Sequence, residues 1–199
     1  MDYAKARYVL NANRLDQLPP DTGVEVAFAG RSNAGKSSTI NTLTRQKGLA
    51  RTSKTPGRTQ HLVVFELEPG RRLIDLPGYG YAKVPDSVRR HWNATLDKYF
   101  RSRESLRGLV LIMDARHPLK NFDRGMLEWC RHAGLPCLVL LTKADKLSRA
   151  AGARTLQEVS RELDQNGWDC QAQLFSSLNS AGLDELRTRL DSWLDPNPV

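Results

Sequence analysis

Residues 24–38 read VEVAFAGRSNAGKSS: an apolar, β-branched run stops in a glycine-bearing loop and restarts as a polar segment. Val24–Ala29 has the composition of a buried strand, and Lys36–Arg45 follows as a helix. Between them, Gly30–Ser37 fits the pattern GxxxxGK[ST]. The pattern gains meaning from this context, because it must leave a strand and open a helix. Glycines let successive backbone N–H groups turn inward around phosphate oxygens, and the helix N-terminus adds partial positive charge. On this reading Gly30, Arg31, Ser32, Asn33, Ala34, Gly35 and Ser38 shape the cradle. Lys36 bridges the β- and γ-phosphates of a bound nucleotide, and the Ser37 hydroxyl coordinates Mg²⁺.

The chain around this loop predicts the fold. Gln60–Glu66 alternates as a strand, and Arg71–Asp75 is another that stops at Pro77-Gly78. Ser87–Arg103 has helical spacing, with Trp92, Leu96, Tyr99 and Phe100 on one face. Gly108–Met113 and Pro136–Leu141 are near-continuous apolar runs, as in parallel strands covered on both faces. Helices near Phe122–His132 and Leu147–Gln165 flank the second of these. Asp169–Phe175 reads as a last strand and Leu183–Leu194 as a last helix. Strands alternating with helices predict a doubly wound α/β fold: a mostly parallel six-stranded sheet with helices on both faces, of the Ras-like P-loop type. One domain, 23–195, is expected, with an N-terminal extension over 1–22 and a tail at 196–199.

Composition narrows the class. The 199 residues suit one domain that needs no disulfide or structural metal. No apolar run approaches the ~18–20 residues of a membrane span, and the first residues lack a signal-peptide core, so a cytoplasmic protein is expected. Cys130, Cys137 and Cys170 form no CxxC pair and read as reduced, partly buried thiols. The net charge of +8 is uneven. Residues 1–150 hold 26 Lys/Arg against 14 Asp/Glu, and residues 151–199 hold 4 against 8. One basic side is expected to face an anionic partner, or simply solvent.

Three further segments fall at the ends of predicted strands or polar loops. Asp75-Leu76-Pro77-Gly78 follows a strand, where open α/β sheets place ligand groups. Asp75 can hold Mg²⁺ through water, and the Gly78 N–H can reach a γ-phosphate. Thr59 closes the polar stretch after the first helix and is the third candidate for the metal, beside Ser37 and Asp75. Thr142-Lys143-Ala144-Asp145 follows the LVLL strand. There the Asp145 carboxylate can accept from the N1–H and N2–H₂ edge of guanine while the Lys143 stem covers the ring, a donor pattern adenine cannot match. Phe175-Ser176-Ser177 follows the last strand and is the candidate for closing the base pocket with backbone N–H groups.

With these residues in place, nearly the whole chain resembles one family: the EngB (YihA, YsxC) ribosome-biogenesis GTP-binding proteins. The likeness rests on EVAFAGRSNAGKSS (25–38), ARTSKTPGRTQ (50–60), DLPGYGYAKV (75–84) and LTKADKL (141–147). It implies a switch segment over Gly57, Arg58, Thr59, Gln60 and His61, and catalysis of GTP hydrolysis by Lys36, Thr59, Gly78 and Asn33. It also implies GTP and GDP as ligands, and a role in large-subunit ribosome assembly through rRNA. A link to division septum formation is implied too, for a monomeric protein. His61 stands where the family carries an apolar residue, and the segment at Phe175–Ser177 lacks the usual lysine. Tyr79 replaces the glutamine that orients attacking water in Ras-like proteins, so slow hydrolysis is expected. Asn33 is a candidate to hold K⁺ beside the phosphates. A tRNA-modifying enzyme would need a further domain; a division-site protein that never turns over GTP is the other alternative.

Overall fold

A computed structural model describes residues 1–51, 61–79 and 86–196, with 86–93 as backbone alone. Among the described residues the apolar runs become seven strands: β1 (Arg7–Ala12), β2 (Val24–Gly30), β3 (Leu62–Glu68), β4 (Arg71–Asp75), β5 (Leu106–Asp114), β6 (Cys137–Thr142) and β7 (Cys170–Leu174). Five α-helices accompany them: α1 (Lys36–Thr44), α2 (Asp86–Ser102), α3 (Asn121–Ala133), α4 (Arg149–Gln165) and α5 (Leu183–Trp193). The sheet order is β1-β3-β4-β2-β5-β6-β7. β4, β2, β5, β6 and β7 run parallel, and β3 and β1 extend the sheet antiparallel.

The seventh strand comes from residues 7–12, inside the predicted extension. It lies at the sheet edge, pairs with β3 alone, and leaves Tyr8 and Val9 exposed. An edge strand with little buried surface carries almost no hydrophobic alternation, which is why RYVLNA does not announce itself. Arg7 sits opposite Glu66 on β3 and pairs with it at 2.6 Å, a charged cross-strand contact of the kind that protects an edge.

The continuous apolar runs have a direct explanation, because both faces of the sheet are covered. Along β5, Leu109, Leu111 and Met113 join Tyr99, Leu127, Val159 and Leu163 from α2, α3 and α4. Val110 and Ile112 point the other way, to Ile40 and Leu43 of α1 and Leu186 and Leu190 of α5. β6 divides likewise, with Val139 and Leu141 on the first face and Leu138 and Leu140 on the second. Cys130 and Cys137 are buried, Cys170 is half-buried, and all three are free thiols.

The amino end of the sheet is tied by a buried charge cluster. The Glu25 carboxylate, at 0% exposure, accepts from Arg103 at 2.6 and 3.1 Å, from Arg72 at 3.2 Å and from the Tyr99 hydroxyl at 3.3 Å. Arg103 also reaches Pro19 O, and Arg72 reaches Thr22 O, both at 2.8 Å. Asp21 accepts from the N–H groups of Glu104 and Ser105 at 2.9 Å. The cluster thus fastens the N-terminal segment, β2, β4 and the end of α2 to one another. It also narrows the expected basic side: Arg103 is inside the fold and does not contribute to a basic surface.

Candidate functional site

The carboxyl ends of β2, β4, β5, β6 and β7 converge on one edge, so their loops must meet there. β2 ends at Gly30, where a Cβ would come within 2.7 Å of Ile112 O on the neighbouring β5; only glycine lets the strands close here. The chain turns through Asn33, at φ 61°, and Gly35, at φ 104°, before Lys36 opens α1. Left-handed backbone at Gly35 is what glycine supplies without steric cost. Thr39 N–H donates to Gly35 O at 2.8 Å, beginning the helix, so the loop's own N–H groups lie at a helix N-terminus. Ser32 Oγ is shut from solvent with no partner among the described residues, a polar atom that a bound phosphate group can satisfy.

Lys36 Nζ donates to Asp75 Oδ1 across this loop, and both side chains are largely buried. The register of β4 makes the pairing: Phe28 and Asp75 are register partners in parallel strands, which brings the end of β4 alongside the loop. Leu76 N–H donates to Phe28 O at 3.0 Å, and Gly78 packs on Ser32, whose Cα would be 3.5 Å from an added Cβ. Pro77 is buried between them. Ser37 Oγ donates to Arg51 O at 3.3 Å, and Ser38 is exposed at the first turn of α1. The Ser37 hydroxyl and the Asp75 carboxylate are hard oxygen donors of the kind that suit Mg²⁺, which takes one or two protein oxygens together with nucleotide phosphates and water. Among the described residues no cluster of three or more His, Cys, Asp or Glu forms a separate metal centre. Gly57, Arg58, Thr59 and Gln60 lie outside the described residues. His61 is half-buried at the foot of β3, with Nδ1 unpartnered among the described residues.

The TKAD segment divides into separate tasks. Thr142 is buried, and its hydroxyl bonds to Ala34 O and, at 3.0 Å, to Met113 O, so it is a strut between phosphate loop, β5 and β6. Lys143, at φ 59°, reaches back to Asn33 O at 2.7 Å and to Asp114 at 2.9 Å. Ala144 N–H donates to Phe175 O at 3.1 Å. Asp145 accepts from Ser176 Oγ at 2.7 Å, and this bond holds its carboxyl below the usual range, ionised and able to accept from a base edge. Phe175 is wholly buried and its N–H donates to Leu141 O at 2.8 Å, while Ser176 N–H donates to Ala181 O at 3.0 Å. These two residues therefore hold the loop shape, and Ser177 stands half-buried beside them.

Two residues absent from the sequence reading belong to the same edge. Asp114 ends β5 as the register partner of Thr142. Its carboxylate is gripped by Arg116 at 2.6 and 2.9 Å and by Lys143, and the guanidinium holds it far below the ordinary carboxylate range. Asp123, in the first turn of α3, accepts from the Tyr79 hydroxyl at 2.8 Å. The strand-end rule that singled out Asp75 and Asp145 applies equally to Asp114; Asp123 sits on a helix and carries no such signal.

This geometry matches known proteins. A family model described as a 50S ribosome-binding GTPase matches residues 25–143. The probable GTP-binding protein EngB of Stenotrophomonas maltophilia is 58% identical over 191 residues, 96% of each chain. The chain belongs to the EngB family of GTP-binding proteins. It is accordingly a GTPase. The EngB of Xylella fastidiosa strain Temecula1 is also 58% identical, over 95% of this chain and 94% of that one. Among solved structures, a probable GTP-binding protein EngB covers 87% of this EngB-family chain and 100% of its own at TM-score 0.70 and 21% identity, a likeness of fold. Era in complex with MgGDPNP and a 16S ribosomal RNA segment has TM-score 0.64 at 22% identity, over 89% of this chain and 59% of that one. No helix among the described residues is long and apolar enough to cross a membrane.

Proposed function

We propose that this GTPase is a nucleotide-driven switch in assembly of the large ribosomal subunit, binding ribosomal RNA through the face around its phosphate sensors. The observation that carries the proposal is the match of residues 25–143 to the 50S ribosome-binding GTPases. Support comes from Arg45, Lys47 and Arg51, exposed beside the phosphate loop, and from Lys98, Arg101 and Arg107 on and after α2. In this reading Lys36 gives up Asp75 for the β- and γ-phosphates, and the Gly78 N–H reports the γ-phosphate. Asp145 selects guanine, and the base sits between the Lys143 stem and the loop at Ser176–Ser177. Ser37 and Asp75, with Thr59, would hold Mg²⁺, which supplies charge neutralisation at the phosphates. Loss of the γ-phosphate releases the segment at Asp75–Gly78 and changes the charge offered to RNA. The link to division septum formation that the family resemblance implies belongs to the same proposal, for a cytoplasmic monomer.

The test is sedimentation with large ribosomal subunits. Co-sedimentation is expected with a non-hydrolysable GTP analogue and much less with GDP. It should weaken steeply with salt, with a log–log slope of ~0.7–0.9 per phosphate neutralised. Replacing Arg51, Lys54 and Arg58 by alanine should flatten that slope and leave GDP affinity intact. Pelleting that ignores both nucleotide and substitution overturns the proposal. A smaller component is K⁺ beside Asn33 as a source of positive charge at the phosphates: turnover should then be faster in K⁺ than in Na⁺, and Asn33→Ala should erase the difference.

A further inference from the structure

Tyr79, the residue after the sensor glycine, is held from three directions. Its N–H donates to Gly30 O at 3.3 Å, and its carbonyl accepts from Ser32 N–H at 3.0 Å, a short parallel bridge between the phosphate loop and the chain leaving β4. Its hydroxyl donates to Asp123 Oδ1 at 2.8 Å, and its ring lies 5.9 Å from that of Phe122. The phenol therefore points to α3 and away from the loop that would cradle the phosphates.

Asp123 stands in the first turn of α3, where a carboxylate is ordinary but its burial is not. Its Oδ2 accepts from Lys120 N–H at 2.9 Å, which serves as an ordinary cap. Capping alone needs one oxygen and favours an exposed residue, yet Asp123 is only 1% exposed. Burying a carboxylate is costly unless its lone pairs are satisfied. Burial raises the pKa of Asp123, and burial raises that of Tyr79 beyond its ordinary value, so the phenol stays protonated as the donor. The second oxygen of Asp123 is thus committed to fixing Tyr79.

What that fixes is the residue in between. Gly78 is flanked on one side by the Leu76 N–H bond to Phe28 O at 3.0 Å and on the other by Tyr79. With Leu76 tied to β2 and Tyr79 tied to the phosphate loop, the short segment that carries the Gly78 N–H is held at both ends. We infer that Asp123 is a positioning residue for GTP hydrolysis, acting through Tyr79 to hold the Gly78 N–H where the γ-phosphate is sensed. The inference rests on the reading of Gly78 as that sensor. GDP lacks the γ-phosphate, so the anchor matters for GTP and not for GDP.

The experiment uses the full chain with Tyr79→Phe, Asp123→Ala and Asp123→Asn, reading single-turnover GTP hydrolysis, GDP affinity and thermal midpoint. Tyr79→Phe keeps the ring and should lower hydrolysis about tenfold with GDP affinity unchanged, the loss of about one charge-assisted hydrogen bond. Asp123→Ala should fall as far, and combining the two should add nothing, as for residues acting through one contact. Asp123→Asn keeps an acceptor for the phenol and should recover most of the rate. Equal losses of GTP and GDP binding, additive losses in the double variant, or full activity in Tyr79→Phe would each overturn the inference. Gly78→Pro, which removes the sensor N–H, separates the two layers: if the variant keeps its thermal midpoint and leaves hydrolysis intact, the sensor reading itself has failed, whatever the anchor variants do.

Discussion

The two ends of the sheet both concentrate charge, and they use it in opposite ways. At the amino end, Glu25 takes four hydrogen bonds from two guanidinium groups and a phenol, and further arginine N–H groups go to backbone carbonyls of Pro19, Pro20 and Thr22. At the carboxyl end the pairs that face the nucleotide are simpler: Lys36 with Asp75 and Asp145 with Ser176. An ammonium has three donors and a carboxylate about four acceptor positions, so these groups keep capacity that the amino-end cluster has used up. A saturated cluster resists exchange, whereas a lysine held chiefly by one carboxylate can pass to a phosphate. Charge density alone does not separate scaffold from site; the saturation of donors and acceptors does.

The sharpest way to break this comparison is at Asp145. Asp145→Asn should move preference from guanine to xanthine nucleotides, since the 2-oxo group of xanthine can accept where guanine donates. Sites that read a base by buried hydrogen bonds discriminate by ~10⁴–10⁵, so competition binding should register a change of about that size with the melting temperature nearly unmoved. A folded variant that still prefers GTP removes the base-site assignment.

Next in size is the amino-end cluster, with the opposite signature. Glu25→Ala leaves Arg72 and Arg103 buried without their acceptor, and breaking a buried pair on one side costs about 3–5 kcal/mol. Against a typical domain stability of ~5–15 kcal/mol, urea unfolding should show a large loss, while nucleotide affinity of the folded fraction stays the same. A shift in nucleotide selectivity with little loss of stability would mean that the two ends are not distinct.

Asp114 tests the boundary between the two kinds of charge. It touches no expected ligand position, yet it holds the lysine that spans to Asn33 O. Asp114→Asn keeps the shape and loses the charge that fixes Lys143. Guanine nucleotide affinity is expected to fall about tenfold, the scale of one charge-assisted hydrogen bond, with stability reduced only modestly. Isothermal titration with GDP measures it, and an unchanged affinity would make Asp114 part of the scaffold.

Much of this molecule was legible before its structure. Apolar runs in β2, β4, β5 and β6 declare themselves because both faces of a parallel sheet are buried, and GxxxxGKS and TKAD sit at their ends, where topology gathers ligands. What stayed hidden has physical causes. β1 buries too little to show periodicity. Arg103 looks like any basic residue until its partner 78 positions away, Glu25, is in contact. Thr142, Phe175 and Ser176 read from sequence as base-site residues, and the struts they also form depend on a hydroxyl and on backbone bonds to distant strands that no local pattern encodes. Asp123 and Tyr79 lie 44 residues apart and meet only through packing.

The smallest expected effects come from acid titration, and their signs differ between Asp114 and Asp123. The Arg116 guanidinium, with Lys143, holds the Asp114 carboxyl far below the usual range. A depressed carboxyl contributes stability that is present above its unfolded pKa, ~3.9, and lost as pH falls below it. Burial raises the Asp123 carboxyl, against bonds from Tyr79 and the Lys120 N–H and the charges of Arg31 and Lys120. A raised carboxyl works the other way: its contribution is complete below ~3.9 and is lost as pH climbs through the folded value. Urea unfolding across pH 3 to 8 should therefore show two opposite trends. The destabilisation caused by Asp114→Asn should shrink as pH falls below about 4. Relative to the parent, Asp123→Asn should gain stability as pH rises above about 4, because the variant has no carboxyl to ionise inside the fold. A flat difference for Asp123→Asn over that range would mean that its carboxyl ionises as easily folded as unfolded. The Tyr79 anchor would then be held by an ordinary surface-like carboxylate instead of a group whose burial the fold must offset.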